Sequence, residues 1–447
     1  MTRTETMAAS HPHSQAGAIA NPRRDLVLLY AARAARNFGD GFAVIILPAY
    51  LAAIGFDAGA IGIVAAAALL GSALLTLTVG LLAPRFDLRS LLLAGAFLMA
   101  ATGLAMPNAG HLALILLIAF IGTMNPATGD LGVLVPIEHA MLAREAADQE
   151  RTKVFARYSL IGAIATALGA LAAATPELLG RFGIGTVPSL QAMLYAYAVL
   201  GLAGVACYRA LPQLRPAAPG QAGAHGPEKA RPGLDPGLTD FSDKIMRKQT
   251  TALGPSRGVV YKLAALFSID AFAGGFAVQS LVALWLFERF GVSLAGASLF
   301  FFWTSVLSAL SFPAAAWLAR RVGLVNTMVF THMPSSVCLI VAAFVPSLVV
   351  VMALLLVRAA LSQMDVPTRT SYVMAVVTPE ERPAAASVTA VPRSLASSLS
   401  PALAGVLFAG PFSGLPLVIC GALKIVYDIA LLVTFRHIKP PEERGGA

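Results

Sequence analysis

Residues 60–83 read AIGIVAAAALLGSALLTLTVGLLA, a stretch without a single charged side chain. A helix needs a run of about 20 apolar residues to cross a bilayer. The rest of the chain has the same character, because it is 57% hydrophobic, only 12% charged and has a mean hydropathy of +0.75. Soluble domains carry about 25% charged residues. The composition therefore predicts an all-α membrane protein that is embedded in the lipid bilayer.

Apolar runs of similar length recur along the chain and predict twelve transmembrane helices. A polar stretch rich in Pro and Gly separates the sixth run from the seventh, which is typical of a linker. We therefore divide the chain into a disordered tail (1–25), a six-helix half (26–211), a linker (212–258), a second half (259–436) and a final tail (437–447). The predicted spans are Leu26–Leu51, Ala60–Ala83, Leu91–Met106, Leu112–Val135, Val154–Ala174, Leu190–Ala210, Val259–Leu286, Leu294–Ala319, Val325–Val345, Leu348–Val377, Ala384–Ala409 and Leu415–Phe435.

The basic residues predict the orientation of these spans. When the termini, the linker and alternate loops are placed on one side, most of the 32 Lys and Arg residues lie there, and the loops of the other side hold only Arg181 and Arg289. Lys and Arg concentrate in cytoplasmic loops of membrane proteins. We therefore expect both termini in the cytoplasm. The same bias accounts for the net charge of +9 without a nucleic-acid partner.

Short sequences repeat between the two predicted halves. Gly41-Phe-Ala-Val44 in the first span recurs as Gly275-Phe-Ala-Val278 in the seventh, and Met124-Asn-Pro-Ala-Thr128 in the fourth is similar to Met364-Asp-Val-Pro-Thr368 in the tenth. Duplicated six-helix halves occur in transporters, where the substrate site lies between them near the middle of the membrane. The repeats predict two pseudo-symmetric halves.

The loop after the second span carries a family pattern. Gly80-Leu-Leu-Ala-Pro-Arg-Phe-Asp-Leu-Arg89 resembles the signature of the major facilitator superfamily, and Trp317-Leu-Ala-Arg-Arg-Val-Gly323 is a second copy. The resemblance extends over nearly the whole chain and implies the major facilitator fold. It marks these gating positions: Gly80, Arg85, Arg89, Arg320, Arg321 and Gly323. Pro84 and Arg320 replace the signature Asp that helps to hold the halves together in this family.

Two further motifs indicate which members of the superfamily the chain resembles. Asp365-Val-Pro-Thr-Arg369, followed by Pro379-Glu-Glu-Arg382, resembles bacterial efflux permeases without an assigned substrate. Gly162, Pro176 and Gly180 match part of the antiporter motif of the fifth span. The resemblance therefore implies a multi-pass protein of the bacterial cytoplasmic (inner) membrane.

Four acids occupy predicted spans that, by this resemblance, line the central cavity: Asp40, Asp130, Asp270 and Asp365. A charge inside a bilayer is costly and needs a reason. Each carboxyl could carry a proton in one conformation and release it in another, or it could form an ion pair that holds helices together. Arg36 and Arg369 lie one turn from Asp40 and Asp365. We interpret Asp428 and Lys424 in the last span as a structural i, i+4 pair.

Basic and amide side chains on the same spans are candidates for substrate binding. Guanidinium groups bind carboxylates or phosphates in a bidentate way, but pairing with the acids above is the alternative interpretation. His139 and His332 have no partner at metal-ligand spacing, so no metal site is predicted. The substrate-binding candidates are Arg36, Asn37, Asn125, Gln279, Arg358 and Gln363.

The most direct functional prediction is a secondary transporter, a proton-driven exporter of small amphiphilic or toxic compounds. An importer of an organic anion, working as a symporter or uniporter, is the alternative within transport. A membrane enzyme or sensor on the same fold is an alternative of another class, but the chain shows no phosphate loop or nucleophile elbow. The expected partners are a small molecule, protons and lipid, with no cofactor, and the protein is expected to be a monomer.

Overall fold

The computed structural model describes residues 22–82, 86–127, 132, 134–145, 151–212, 253–378 and 381–436. Within these ranges the chain forms helices at all twelve predicted positions and no strands. Nine helical segments there are long and apolar enough to cross a membrane. The segments at the predicted first, fourth and eleventh positions lie outside these nine, since the first carries several charges, the fourth is interrupted and the eleventh is rich in Ser and Pro.

We number the helical segments as spans 1 to 12. In the first half, spans 1, 2 and 3 are Pro22–Ala53, Ala58–Leu82 and Leu88–Ala105, and a 3-10 turn at Met106–Asn108 follows. Span 4 consists of Leu112–Ile121 and Leu134–Glu145. Span 5 consists of Arg151–Ala172 and the short helix Thr175–Gly180, and span 6 is Thr186–Arg209.

The second half has the same order. Span 7 consists of Arg257–Gly275 and Gln279–Phe290, span 8 is Leu294–Val322 and span 9 is Leu324–Phe344. Span 10 consists of Leu348–Ser362 and Asp365–Val376. Spans 11 and 12 are Arg382–Phe408 and Leu415–Phe435.

Spans 4, 7 and 10 are interrupted, although the sequence predicted each as one continuous helix. Span 4 breaks from Gly122, where Pro126 follows closely, and span 7 breaks at residues 276–278 after a pair of glycines. Span 10 breaks at Gln363 and Met364, because Pro367 cannot donate a backbone hydrogen bond to residue 363 but fits the first turn of a new helix. Apolar composition predicted the spans but could not show these breaks.

The repeated glycines lie in equivalent helix contacts of the two halves. A Cβ atom on Gly41 would lie 2.2 Å from the carbonyl oxygen of Thr166, so span 1 packs directly on the backbone of span 5. A Cβ atom on Gly275 would lie 2.0 Å from Oγ of Ser400, so span 7 packs in the same way on span 11. Small residues allow such close approach of membrane helices.

The apolar cores show how the halves meet. We call the end of the bundle where span 1 begins and span 12 ends the terminal side. On the opposite side, buried residues of both halves, among them Tyr50, Leu69, Leu284 and Phe408, form one shared core. On the terminal side each half has a separate core, around Tyr158 in the first and around Tyr372 in the second. Among the described residues, the apolar cores of the two halves therefore join on the opposite side and are separate on the terminal side.

The opposite side also depends on a glycine contact between spans 2 and 11. A Cβ atom on Gly405 would lie 2.4 Å from the carbonyl oxygen of Ala58 and 2.8 Å from Cα of Gly62. We expect Gly405→Val to force these spans apart and to favour a state open on the opposite side. Labelling of Ala58→Cys by a membrane-impermeant thiol reagent should rise several-fold in the Gly405→Val background. Gly258→Val, where nothing lies within 4 Å of the new Cβ atom, is the control, and equal labelling in both would contradict the expectation.

Candidate functional site

A cavity with a volume of about 220 Å³ lies mainly in the second half. Its walls come from spans 7, 8, 10, 11 and 12, and Leu69 and Ala127 of the first half complete it. Four charged side chains line it: Asp270, Arg358, Arg393 and Lys424. Three cations face one acid, so the cavity lining is positive.

The helix breaks meet at this cavity. Val278 and Gln279 line it where span 7 restarts, and Gln363 lines it where span 10 breaks. The backbone N–H of Ser280 donates a 3.2 Å hydrogen bond to the carbonyl oxygen of Pro126, which joins the breaks of spans 7 and 4 across the halves. The helix Gln279–Phe290 thus begins at the cavity, and a helix N-terminus carries partial positive charge.

Asp270 is the centre of a buried ion-pair network. Lys424 Nζ donates to its Oδ1 over 2.7 Å, and Arg369 Nη1 donates to its Oδ2 over 3.0 Å. Arg369 Nη1 also lies 3.3 Å from Oδ2 of Asp365, so the pair predicted from i, i+4 spacing is present. The carboxylate of Asp270 is therefore held by cations from two other spans.

The predicted pair of Lys424 with Asp428 is wrong. Lys424 reaches across to Asp270 in span 7 and to His332 in span 9, where its Nζ lies 3.1 Å from Nε2. Asp428 instead faces Nδ1 of His332, at 3.0 and 3.1 Å from its two carboxylate oxygens. Span 12 is not merely peripheral, because both charged side chains point into the second half.

Two arginines of the cavity have no acid at ion-pair distance within the ranges that the structure describes. Arg358 in span 10 lines the cavity, and the ion pairs of the second half involve other cations. Arg393 in span 11 lines it as well, and its buried Nε finds no hydrogen-bond partner among the described residues. These two guanidinium groups are available to an anionic ligand.

The first half contains a second, smaller cavity of about 30 Å³, which Arg33, Arg36, Asn37 and Asp40 line. Arg36 does not pair with Asp40. Its Nη2 lies 2.5 Å from Oε2 of Glu138, a side chain with 0% exposure. Arg36 therefore forms a buried ion pair with Glu138, which argues against a role as a substrate ligand.

Asp40 and Asp270, both predicted on spans that line the central cavity, line two different pockets, the smaller one in the first half and the larger one in the second. Asp40 accepts a 3.0 Å hydrogen bond from the hydroxyl of Tyr197, which lies 3.5 Å from Oγ1 of Thr123. No cation of the described ranges lies within ion-pair distance of Asp40. Asp130 lies outside the described residues.

Of the four predicted amide ligands, two form hydrogen bonds within the first half and two line the larger cavity. Asn37 donates to the carbonyl oxygen of Gly162 and to Oγ1 of Thr166, which ties span 1 to span 5. Asn125 accepts from the backbone N–H of Ala127 in the break of span 4. Gln279 and Gln363 line the larger cavity. The structure thus brings Arg358, Gln279 and Gln363 together with Asp270.

The gating positions lie at the ends of spans. Gly80 is exposed near the end of span 2, Arg85 lies outside the described residues, and Arg89 donates to the carbonyl oxygen of Arg209 over 2.6 Å. Arg320 is in the last turn of span 8, and Arg321 stacks on Trp317 at 4.2 Å. Gly323 has φ +87°, which an L side chain rarely adopts, so only glycine fits this tight link to span 9.

Sequence reasoning left out Glu138, paired Lys424 with the wrong acid and gave His332 no partner. His332, Lys424 and Glu138 each pair with residues about 70 or more positions away, a separation at which local spacing gives no signal. Their presence in apolar segments was the available signal, since a polar side chain in a membrane span needs a partner.

A comparison with protein families identifies the family to which this chain belongs. The sequence profile described as Major Facilitator Superfamily matches residues 29–357, which is well over half of the chain. The chain belongs to the major facilitator superfamily. The twelve segments, the repeated glycine contacts and the central cavity are thus features of a membrane transporter.

The chain is also similar to individual proteins and solved structures. The uncharacterized membrane protein YJR124C of Saccharomyces cerevisiae is 25% identical over 431 residues, which covers 92% of this chain and 94% of that protein. Among solved structures, the nucleoside transporter NupG has a TM-score of 0.67 at 14% identity, covering 93% of this chain and 99% of that one. A bacterial homolog of the human lysosomal transporter Spinster, in an inward-facing and unoccupied conformation, has a TM-score of 0.63 at 14% identity, covering 93% and 96%. At these identities the structural likeness shows the fold alone.

Proposed function

We propose that this superfamily member is a proton-coupled secondary transporter of a small organic anion. The observation that carries the proposal is the pair Arg358 and Arg393 on the walls of the larger cavity, with no acid at ion-pair distance in the described ranges. A desolvated guanidinium binds carboxylate or phosphate strongly and with bidentate geometry. The helix that begins at Gln279 adds partial positive charge to the same cavity.

This proposal favours the anion alternative over the export of amphiphilic compounds. The sequence prediction of proton-driven efflux rested on the duplication, the partial antiporter motif and the cavity acids, and two of these acids, Asp270 and Asp365, are held by Arg369. An amphiphilic cation would meet a positive lining at this cavity. The experiment below compares the two alternatives, and transport of cationic amphiphiles is the outcome that would favour efflux.

We further propose an arrangement in the membrane. The charge bias of the loops supports both termini in the cytoplasm of a bacterial inner membrane. In that orientation, the separate cores of the terminal side open the cavity toward the cytoplasm. The halves rock about the larger cavity, and the protein works as a monomer, because each chain has a complete cavity of its own.

Transport by purified protein in liposomes tests this function. We expect uptake or counterflow of one or more labelled small organic anions, accelerated by an imposed pH gradient, and no transport of neutral or cationic amphiphiles. Transport of cationic amphiphiles alone would overturn the anion proposal and favour efflux. Anion transport that ignores the pH gradient would overturn the coupling.

The variant Arg358→Ala tests the cavity itself. A hydrogen bond to a charged group contributes about 1.5–3 kcal/mol, so the apparent affinity for the anion should fall by about 10- to 100-fold. Arg358→Lys keeps the charge but loses the bidentate geometry, and an intermediate loss is expected. Arg181→Gln, on an exposed loop, is the control. Unchanged affinity in Arg358→Ala would show that the anion binds elsewhere.

A further inference from the structure

His332 lies at the centre of a chain of contacts that ends at the larger cavity. On one side its Nδ1 faces the carboxylate of Asp428, and on the other its Nε2 faces Nζ of Lys424 at 3.1 Å and Oδ1 of Asp270 at 3.7 Å. Lys424 is also a wall residue of the cavity. Because Lys424 contacts both the histidine and the cavity, a ligand that moves Lys424 also changes the surroundings of His332.

The contacts of His332 with Lys424 and Asp428 fit one placement of its ring hydrogen. An ammonium group can only donate, so the Nε2 atom that accepts from Lys424 carries no hydrogen. The single ring hydrogen is then on Nδ1, where it is donated to Asp428. In this arrangement the lone pair of Nε2 is directed at Lys424, so Nε2 can take a proton only when the ammonium moves away.

Carboxylates face both ring nitrogens of His332. Oδ1 of Asp270 lies 3.7 Å from Nε2, and Oδ1 of Asp428 lies 3.0 Å from Nδ1. The wider cluster holds the ion-paired cations Arg369 and Lys424, with Arg393 on the same cavity wall as Asp270. A proton on Nε2 of His332 would therefore lie beside Asp270. Buried charges are tolerated when they are paired, so this proton has carboxylates on both sides to stabilise it.

The other elements packed on span 9 contribute charges as well. Span 12 adds Tyr427, whose ring meets the imidazole edge-on at 6.0 Å between centroids. Span 10 adds Arg358 together with the pair Asp365 and Arg369, and Arg393 of span 11 lines the same cavity as Asp270. Span 8 carries Arg320 and Arg321 in its last turn, near the start of span 9. Of these groups, Lys424 is the cation in direct contact with Nε2, so its position controls whether the atom can take a proton.

We propose that His332 is the proton-binding residue of the transporter and that Lys424 couples it to the anion in the cavity, an inference that rests on the proposed function. An anion in the cavity attracts Lys424, whose flexible stem allows the ammonium to move away from Nε2. A proton from water then binds Nε2, which faces Asp270 as its acceptor. When the anion leaves, Lys424 returns to Asp270 and the proton is released to water. By linkage, a proton that promotes anion binding is itself bound more tightly with the anion present.

Proton uptake on anion binding tests this directly in the purified protein, with sulfate as the probe. In weakly buffered detergent solution with a pH-sensitive dye, wild type should take up about one proton per sulfate bound. Because binding then takes up a proton, sulfate affinity should rise by up to about tenfold for each unit that the pH falls. His332→Asn keeps a donor for Asp428 but cannot be protonated, and it should bind sulfate without proton uptake and without pH dependence.

Several outcomes separate this inference from the proposed function. Absence of sulfate binding by wild type would overturn both, whereas binding without proton uptake by wild type would overturn only the inference. Proton uptake that survives in His332→Asn but is lost in Asp40→Asn would move the proton site to the first half. His139→Asn is the matched histidine control and should behave as wild type. If His332→Asn does not fold, Lys424→Gln should bind sulfate more weakly, because a cation of the cavity is lost, and without proton uptake, because the ammonium that responds to the anion is gone. Normal proton uptake by Lys424→Gln would overturn the inference.

Discussion

Replacing Asp270 with Asn is expected to abolish anion transport and to destabilise the protein. The substitution removes the carboxylate that holds Lys424 at 2.7 Å and Arg369 at 3.0 Å. Breaking a buried ion pair by removing one partner costs about 3–5 kcal/mol. We expect the lower end of this range, about 3 kcal/mol, because Arg369 keeps Asp365 and Lys424 borders the cavity. Thermal unfolding in detergent and anion transport in liposomes measure the two effects.

A double variant separates the effect of the unpaired Lys424 ammonium on stability from the effect of losing Asp270 on transport. Asp270→Asn combined with Lys424→Met removes the unpaired ammonium together with its partner, so the melting temperature should recover while transport stays absent. If the single variant Asp270→Asn melts and transports as wild type does, then Asp270 does not hold the network together.

Replacing Glu138 with Gln should have the largest effect on stability in the first half. Glu138 is fully buried and accepts hydrogen bonds from Arg36 at 2.5 Å, from the hydroxyl of Tyr208 at 2.5 Å and from the hydroxyl of Tyr158. It thereby joins span 4 to spans 1, 5 and 6 on the terminal side. Gln cannot neutralise Arg36, so we expect a loss of about 3–5 kcal/mol and a low yield of folded protein.

The partner variant again serves as the control. Arg36→Met with Glu138→Gln removes both charges, and replacing a buried pair by groups of similar volume is often tolerated. Folded yield, measured by gel filtration in detergent, should therefore be higher for the double variant than for Glu138→Gln alone. Equal yields of wild type and Glu138→Gln would show that the ion pair contributes little.

The fold could be predicted from the sequence because a bilayer imposes simple rules on helix length and charge. The runs around residues 60–83 and 415–435, and the repeated Gly41 and Gly275 motifs, were sufficient for the class and its duplication. The helix breaks were not predictable in the same way. Gly122 and Pro126 lie in an apolar context that reads as one span, and hydrophobicity does not report backbone conformation.

The candidate site was predicted only in part. Arg358, Gln279 and Gln363 could be placed in the cavity because the resemblance identified their spans, and the Asp365–Arg369 pair followed from local spacing. The partners of Asp270 could not be found, because Lys424 lies 154 residues away along the chain. Which of several buried cations meets which acid depends on helix rotation, which spacing within one helix does not determine.

The shared core on the opposite side has a consequence for chain continuity. Because Tyr50 and Leu69 of one half pack in the same apolar cluster as Leu284 and Phe408 of the other, the contacts between the halves do not require a peptide connection. A protease cut between Leu211 and Gly254 would leave two fragments that stay associated in the bilayer. By the same reasoning, an inserted domain at this point would leave the transport unit intact, and the halves could be encoded as separate subunits.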